Sequence, residues 1–547
     1  MKFRFWTVVS FFTLMYGVLV FNLYSIQLKN GDFYTARAES QLAGTGTLKA
    51  PRGTIFFSDK EGAFVPAAVE KEYTEIYAVP TEVADAEEIG RTVASILNLP
   101  AEETVTKLKK AGDQYELLVK KATPEQIGAL AEADKIDGIY NRNYGNRFYP
   151  LGATAAQLIG FTAVNKENDT PIGLYGIERY FEDRLAGMMG KINGDYVEQP
   201  LKGSDVYLSI DRNIQSQAEE TLTKLAKTFS ASGGTVVVED PKTGRILAMA
   251  NYPSFNPNNY SSYPLSVFQN PAIESVYEPG SVFKIITMSA GIDSGKITPE
   301  TTYYDSGEVK LNGRTIRNWN LKSYGRQTMT GVIEHSLNTG TVFAERQMGH
   351  DIFREYLERF KIDRPTGISL PGEVEGSLGA MVGTSPQDVN FATASFGQGV
   401  SVTPIGLLAA AATIANGGIM MKPILETNEQ PQEVGRIISA EAAKKVTAMM
   451  VSAVDGAVVA KIPGYTVAGK TGTAQVPDFK KGGYTEQYIH TFIGFSPAYD
   501  PKFIVMIKLD KPSVVLAGQT VVPAFKELAQ FIINYYNIAP DRMENSR

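Results

Sequence analysis

Two pairs of strand signals bracket the C-terminal half of this chain, with a long, mostly helical stretch between them. In the first pair, Thr235-Val236-Val237-Val238-Glu239 turns through Asp240-Pro241-Lys242-Thr243-Gly244 and returns as Arg245-Ile246-Leu247-Ala248-Met249-Ala250. In the second, Thr491-Phe492-Ile493-Gly494-Phe495 and Lys502-Phe503-Ile504-Val505-Met506-Ile507-Lys508 are joined by a Pro-Ala-Tyr-Asp-Pro turn. Strands at both ends with helices between them predict one antiparallel sheet covered by helices, an α+β arrangement. Val206–Ile210 reads as a further strand. Residues 212–229 carry Ile214, Ala218, Leu222, Leu225 and Phe229 at helical spacing, and Pro523–Ile538 reads as an apolar-faced helix. At 547 residues, 43% hydrophobic and 20% charged, the chain is globular and long enough for several cores.

Composition removes several function classes. The net charge of −6 argues against a nucleic-acid binder. With no cysteine there are no disulfides, no Cys₄ zinc site and no thiol catalysis. Only His335, His350 and His490 are present, so a histidine-rich metal site is not expected. No Gly-x-Ser-x-Gly elbow accompanies these histidines.

At the N-terminus, Lys2 and Arg4 precede an uncharged run from Phe5 to Leu28 that ends at Lys29. As a helix this run spans about 36 Å, enough to cross a bilayer. A cleavable signal peptide would have a shorter apolar core followed by small residues, whereas Asn22–Leu28 are mostly large. The run is therefore read as an uncleaved anchor, with residues 1–4 cytoplasmic and everything after Lys29 outside. Residues from about 30 to 200 show a strand-and-turn segment at Ala50–Gly62 and acid-rich helical patterns over 83–133. Arg147–Gly152, Leu158–Phe161 and Gly173–Glu178 follow. Nothing in this region looks catalytic; Glu178, Glu182 and Asp183 are predicted on the solvated face of a helix.

Chemistry concentrates in three short stretches. In Glu278-Pro279-Gly280-Ser281-Val282-Phe283-Lys284 a Pro-Gly turn opens into an apolar helix. Ser281 and Lys284 fall on one helix face, one turn apart. A lysine held among apolar neighbours loses hydration and favours its neutral form, so it can act as a base for a serine hydroxyl that is otherwise a poor nucleophile. The helix N-terminus adds N–H donors where an oxyanion could form. Ser-x-x-K alone carries little weight, since a capping serine and a surface lysine fit it equally. Downstream, however, come His335-Ser336-Leu337-Asn338-Thr339-Gly340 and then Lys470-Thr471-Gly472-Thr473-Ala474-Gln475-Val476, in one order and at domain-scale spacing.

Together, S-x-x-K, S-x-N and K-T-G resemble the three signatures of the penicillin-binding proteins and serine β-lactamases. Pro51-Arg52-Gly53-Thr54-Ile55, Tyr149-Pro150-Leu151-Gly152 and Gly173–Glu178 look like the pedestal of a class B, monofunctional penicillin-binding protein. Asn251–Pro257, Phe396-Gly397-Gln398-Gly399 and Thr403-Pro404 fit its transpeptidase domain. The Val-Phe-Lys and Ser-Leu-Asn variants lean towards the cell-division, FtsI-like branch. The resemblance implies a tail at 1–4, a transmembrane anchor at 5–28, an elongated mixed α+β pedestal of dimerisation type at 29–202 and a transpeptidase domain at 203–547. That last domain would be an antiparallel sheet flanked by helices.

The resemblance also implies site roles. Ser281 would be the nucleophile and Lys284 the base, although the identity of the acylation base in this family is debated. Ser336 would shuttle a proton beside Lys470, and Asn338 would bind Lys284 and the substrate amide. Lys470, Thr471, Gly472 and Thr473 would hold the substrate carboxylate. Backbone N–H groups of Ser281 and Thr473 would form the oxyanion hole, and no metal or cofactor is implied. Implied partners are D-Ala-D-Ala stem peptides, β-lactams, the cell membrane, and a polytopic glycan polymerase with other division or elongation proteins. Competing readings are a D,D-carboxypeptidase or β-lactamase, a non-catalytic β-lactam sensor, and a division scaffold. His335 is expected to pack rather than react. Glu278 is read as a supporting group or part of the turn. Trp319 and Tyr324 are read equally as cleft lining or packing, and the surroundings of Asn318 and Asn320 are unassigned.

Overall fold

The computed structural model describes residues 2–25, 47–133, 136–164, 170–193, 196–478 and 480–542. A helix runs from Lys2 to Tyr24, and its side chains from Phe11 to Tyr24 are exposed. Among the described residues no helix is long and apolar enough to cross a membrane. The end of the expected span, Ile26–Leu28 with Lys29, and the first part of the expected pedestal, 30–46, lie outside the described residues. The chain divides into two compact units. One comprises Met1–Thr54, Ala68–Pro150 and Asp183–Ser204; the other comprises Ile55–Ala67, Leu151–Glu182 and Asp205–Arg547.

In the first unit, Val69–Ala78 of the Phe64–Ala78 strand pair antiparallel with Ile139–Phe148 and Glu116–Val119. Period-2 alternation sends Ile76, Ala78, Leu118 and Ile139 to one face. There they meet Val93, Leu97 and Leu108 from helices Ala86–Leu97 and Ala101–Leu108. The first of these helices starts where the Asp85 carboxylate accepts from the Glu87 and Glu88 N–H groups, and it stops at Asn98 in the left-handed conformation. The opposite sheet face carries Tyr73, Glu75 and Tyr77 in register with Tyr144, Arg142 and Tyr140.

The second unit is built on a five-stranded antiparallel sheet of Gly233–Asp240 (β1), Arg245–Tyr252 (β2), Ala468–Pro477 (β3), Tyr484–Ser496 (β4) and Phe503–Asp510 (β5), in the order β2-β1-β5-β4-β3. The two sequence-distant strand pairs thus join through β1 and β5. Helix Arg212–Thr228 (α1) uses Ile214, Ala218, Leu222 and Leu225 to cover one face. Phe525, Leu528 and Ile532 of the C-terminal helix share that cover, over Val236, Val238, Phe492, Val505 and Ile507. Burying each such aliphatic or Phe side chain contributes about 1.5–3 kcal/mol.

Between β2 and β3 the chain forms the helical block. Its helices Lys284–Asp293 (α2) and Pro404–Ala415 (α4) are buried nearly all round, consistent with their continuous apolar sequence. Helices Asn338–Met348 (α3), Ala440–Ala457 (α5) and Val521–Tyr535 (α6) complete the elements used below. Phe161 lies in an aromatic cage of Tyr175, Phe255, Tyr260 and Phe268. The expectation that Glu178 is solvated fails: it is fully buried in the short Gly176–Tyr180 helix, whereas Asp183 is exposed. Three consecutive buried residues on that one-turn element, Gly176, Ile177 and Glu178, show that its periodicity has no outer face at Glu178.

Candidate active site

Ser281 sits in a 3₁₀ turn, Gly280–Phe283, which runs directly into α2 at Lys284. The nucleophile candidate is therefore on a tight turn before the helix rather than in its first α-helical turn. Ser281 is partly exposed while Val282, Phe283 and Lys284 are buried. Gly280 has φ +59°, and a Cβ there would lie 3.0 Å from the Ala474 Cβ and 3.3 Å from the Thr473 carbonyl oxygen. From the other side, a Cβ on Gly472 would lie 2.9 Å from the Pro279 carbonyl oxygen. The two glycines let the K-T-G strand and the serine turn touch backbone to backbone. That brings the Ser281 and Thr473 backbone positions to one place.

Lys284 is fully buried. Its Nζ donates to the Ser336 carbonyl at 2.6 Å and to Asn338 Oδ1 at 2.8 Å, and lies 3.3 Å from Ser336 Oγ. Lys470, 4% exposed, reaches the same hydroxyl from β3: its Nζ is 3.0 Å from Ser336 Oγ and 3.0 Å from the Thr471 carbonyl. Four of the expected residues, Lys284, Ser336, Asn338 and Lys470, thus share one hydrogen-bonded cluster. The Ser281 hydroxyl makes no hydrogen bond among the described residues and stands one turn from Lys284 on α2. Burial, and then the neighbouring Lys470, hold the Lys284 ammonium well below the ordinary lysine range. Burial lowers Lys470 to about 7. Desolvation disfavours the charged form of an amine, so both lysines are disposed to be neutral near neutral pH.

Ser336 caps the Met329–His335 helix with φ 56° and ψ 46°, the left-handed region that costs a non-glycine residue of order 1 kcal/mol or more. Asn338 follows as the first residue of α3. β3 ends the sheet order, with β4 as its one partner among the described strands. Its alternation puts Thr471 and Thr473 on one side and buried Lys470 and Gly472 on the other. The Thr473 hydroxyl accepts from Ala517 N–H at 3.4 Å.

Several residues fall outside the sequence-derived set. The buried Asn318 accepts on Oδ1 from the N–H groups of Asn338 and Thr339, at 3.0 and 3.3 Å. Fully buried Asp305 accepts from Asn318 and from the Thr339 hydroxyl. His490, beside Thr473 in register, bonds Thr520 Oγ1 and the Val515 carbonyl. Because a carbonyl only accepts, its Nε2 carries the proton. Glu278 accepts from Gly399 N–H at 2.9 Å and from the Tyr484 hydroxyl at 3.0 Å, tying the serine turn to two other segments. Trp319 is 56% exposed and donates to the His335 carbonyl, while the His335 ring stacks on Tyr324.

Comparison with known proteins gives a consistent result. Residues 234–530 match the family model described as the penicillin binding protein transpeptidase domain, and residues 47–199 match the penicillin-binding protein dimerisation domain. The chain is similar to stage V sporulation protein D of Bacillus subtilis, 31% identical over 92% of this chain and 81% of that protein. It is also 31% identical to the probable peptidoglycan D,D-transpeptidase PbpC of Pseudomonas aeruginosa, over 100% and 97% of the two chains. Identity to the peptidoglycan D,D-transpeptidase FtsI of Escherichia coli is 30%, over 94% and 88%. Among solved structures, penicillin binding protein 2X of Streptococcus thermophilus superposes with TM-score 0.75 at 24% identity, covering 90% of this chain and 81% of that one. Penicillin binding protein 3 of Mycobacterium tuberculosis, complexed with aztreonam, gives 0.70 at 25%, covering 91% and 98%. The mixed α+β fold, the transpeptidase and dimerisation domains and these relatives establish that the chain belongs to the class B penicillin-binding proteins, the family of peptidoglycan D,D-transpeptidases.

Proposed function

We propose that this protein is a membrane-anchored peptidoglycan D,D-transpeptidase that cross-links stem peptides through a Ser281 acyl-enzyme during septal wall synthesis, and that β-lactams acylate the same serine. The observation that carries the reading is the pair of buried amines, Lys284 and Lys470, converging on the Ser336 hydroxyl beside the Ser281 turn. Neutral Lys284 takes the Ser281 proton as Oγ bonds to the carbonyl carbon of the penultimate D-Ala. The Ser281 and Thr473 N–H groups stabilise the resulting oxyanion, where losing one donor costs about 10²–10³ in rate. The C–N bond then breaks, and terminal D-Ala leaves as an amine carrying a proton delivered by Ser336, which Lys470 and Lys284 resupply. An amine of a second stem peptide attacks the acyl-enzyme, the cross-link forms and the Ser281 hydroxyl is restored. Lys470, Thr471 and Thr473 bind the terminal carboxylate, and the donor peptide adds as a strand on the free edge of β3.

The run from Phe5 to Leu28 anchors the chain with its N-terminus in the cytoplasm and everything after Lys29 outside. The basic residues Lys2 and Arg4 ahead of the uncharged run support this orientation. Resistance to alkaline extraction from membranes tests it. Glycan polymerisation falls to a polytopic partner, and repeated co-purification without such a polymerase counts against that assignment. The chemistry is tested by labelling with a fluorescent penicillin, read by gel and intact mass. A stable adduct of one penicillin on the wild type, absent from Ser281→Ala, supports the transpeptidase reading. An adduct that vanishes within seconds favours a hydrolase, and an unlabelled folded wild type overturns the reading.

A further inference from the structure

We propose that Asp305 is a positioning residue for acyl transfer: through Asn318 it fixes where Asn338, and with it Lys284, stands. The proposal rests on the reading of Ser281 as the acylated residue. Asp305 ends the short strand Thr302–Asp305, and its side chain is fully buried. A carboxylate in that setting needs donors on both oxygens, and it has them. Oδ1 accepts from the Thr339 hydroxyl at 2.7 Å, Asn318 Nδ2 at 3.0 Å and Gly307 N–H at 3.0 Å. Oδ2 accepts from Asn318 Nδ2 at 2.9 Å and Tyr324 N–H at 2.8 Å.

With its NH₂ held by Asp305 and by the Lys322 carbonyl, Asn318 can present only its oxygen towards α3. That oxygen receives the Asn338 and Thr339 N–H groups, donors at the start of α3 that have no partner within the helix. The preceding residue finishes the alignment. The Arg317 carbonyl accepts from Asn338 Nδ2 at 2.8 Å. Because a carbonyl cannot donate, the Asn338 amide is locked with its oxygen turned to Lys284 Nζ, 2.8 Å away. A hydrogen-bonded chain of buried or half-buried groups therefore runs Asp305–Asn318–Asn338–Lys284, and every orientation along it follows from which atoms can donate. Asp305 does not touch the reacting atoms; it acts by setting the angle of the group that does.

The test uses the full-length protein in detergent and a penicillin concentration series, which separates the affinity of the initial complex from the rate constant of acylation. Asp305→Asn keeps the shape but places an NH₂ against donors. The acylation rate constant is expected to fall by about 10²-fold, as misplacement of a catalytic group by about 1 Å does. The affinity of the initial complex is expected to stay within about threefold, since the interaction lost serves the reaction step and not ground-state binding. Leu528→Ala, in the core under α6 and remote from the cluster, serves as the comparator for lost stability alone and should leave the rate constant unchanged. If Asp305→Asn does not fold, Thr339→Val, which removes one donor to Asp305, decides: a rate constant at least about tenfold lower supports the proposal. A folded variant that acylates no more slowly than Leu528→Ala, or that loses only affinity, overturns it. Absence of labelling on the wild type would instead sink the Ser281 reading, so the two failures are distinguishable.

Discussion

Each unit of this molecule holds a cluster of buried charged side chains, and the two clusters are built in opposite ways. In the unit containing residues 68–150, Glu75 is 6% exposed and meets Arg142 Nε at 2.5 Å and the Tyr115 hydroxyl at 2.9 Å. The Arg142 guanidinium lies over the Tyr77 and Tyr115 rings, 5.6 and 5.2 Å from their centroids. Opposite charges there neutralise one another and join two strands. In the other unit, Lys284 and Lys470 are equally buried, carry the same sign and make no ion pair among the described residues; what they share is a hydroxyl. A buried pair of opposite charges is quiet. Neighbouring buried ammonium groups are relieved by shedding protons, which makes the amines bases. The contrast separates scaffold from chemistry without reference to fold.

The sharpest way to break this comparison is to remove one charge from each cluster. Lys284→Met should lower the acylation rate by about 10²–10⁴-fold, the contribution of a positioned general base. It should also raise the melting temperature at pH 7. The wild-type unfolded chain holds a proton on Lys284 that the folded protein gives up, so wild-type stability falls as pH drops from about 10 towards the folded pKa. Methionine removes that cost. The pH dependence sharpens the same point. With Lys470 lowered to about 7, its ammonium form loses population as pH rises. The acylation rate should therefore fall by up to about tenfold per unit above that value, as the donor to Ser336 and to the substrate carboxylate is lost. A flat profile from pH 5.5 to 9 would remove the lysine pair from the mechanism.

The same contrast explains what could be read from the sequence. The sheet and its helical cover were legible because β1, β2, β4 and β5 carry continuous β-branched and apolar runs, and α1 repeats its apolar residues at one spacing. Ser281, Lys284, Ser336, Asn338 and Lys470 stand out as candidates because each lies in a short motif with fixed neighbours, and the last four meet in one hydrogen-bonded cluster. Asp305 and Asn318 were not. Asp305 sits before Ser306-Gly307 and reads as a turn residue, and Asn318 lies in Arg-Asn-Trp-Asn, which has no period. Their importance depends on α3 arriving from a distant part of the chain, which no local pattern encodes. Glu178 was misread for a related reason: five helical residues are too few for periodicity to reveal an outer face.

A third buried charge tests whether partners or burial set the outcome. Glu239 on β1 is fully buried, neither carboxylate oxygen has a hydrogen-bond partner among the described residues, and burial with Asp240 nearby pushes it up to about 8. For a carboxyl raised in the folded state, folding retains a proton that the unfolded chain loses, so stability falls as pH rises from about 4.5 to 8. Glu239→Gln, which cannot ionise, should therefore be more stable than the wild type by on the order of 3 kcal/mol at pH 7.5 and nearly equal to it at pH 5. Paired denaturation curves at the two pH values check this. An equal difference at both would mean that Glu239 finds a partner in solution.

The smallest expected effect comes from the paired cluster. Arg142→Met leaves the Glu75 carboxylate buried with only the Tyr115 hydroxyl among its described partners. Breaking a fully buried pair costs about 3–5 kcal/mol, but the Arg142 side chain is 39% exposed and water can take its place, so about 1–2 kcal/mol is expected. Acylation by penicillin should be unchanged. Stability and chemistry would then respond in mirror image to the two substitutions: Lys284→Met gains stability and loses reaction, and Arg142→Met loses stability and keeps reaction. If Arg142→Met instead slowed acylation, the paired cluster would be coupled to the site, and the division of labour between the two kinds of buried charge would fail.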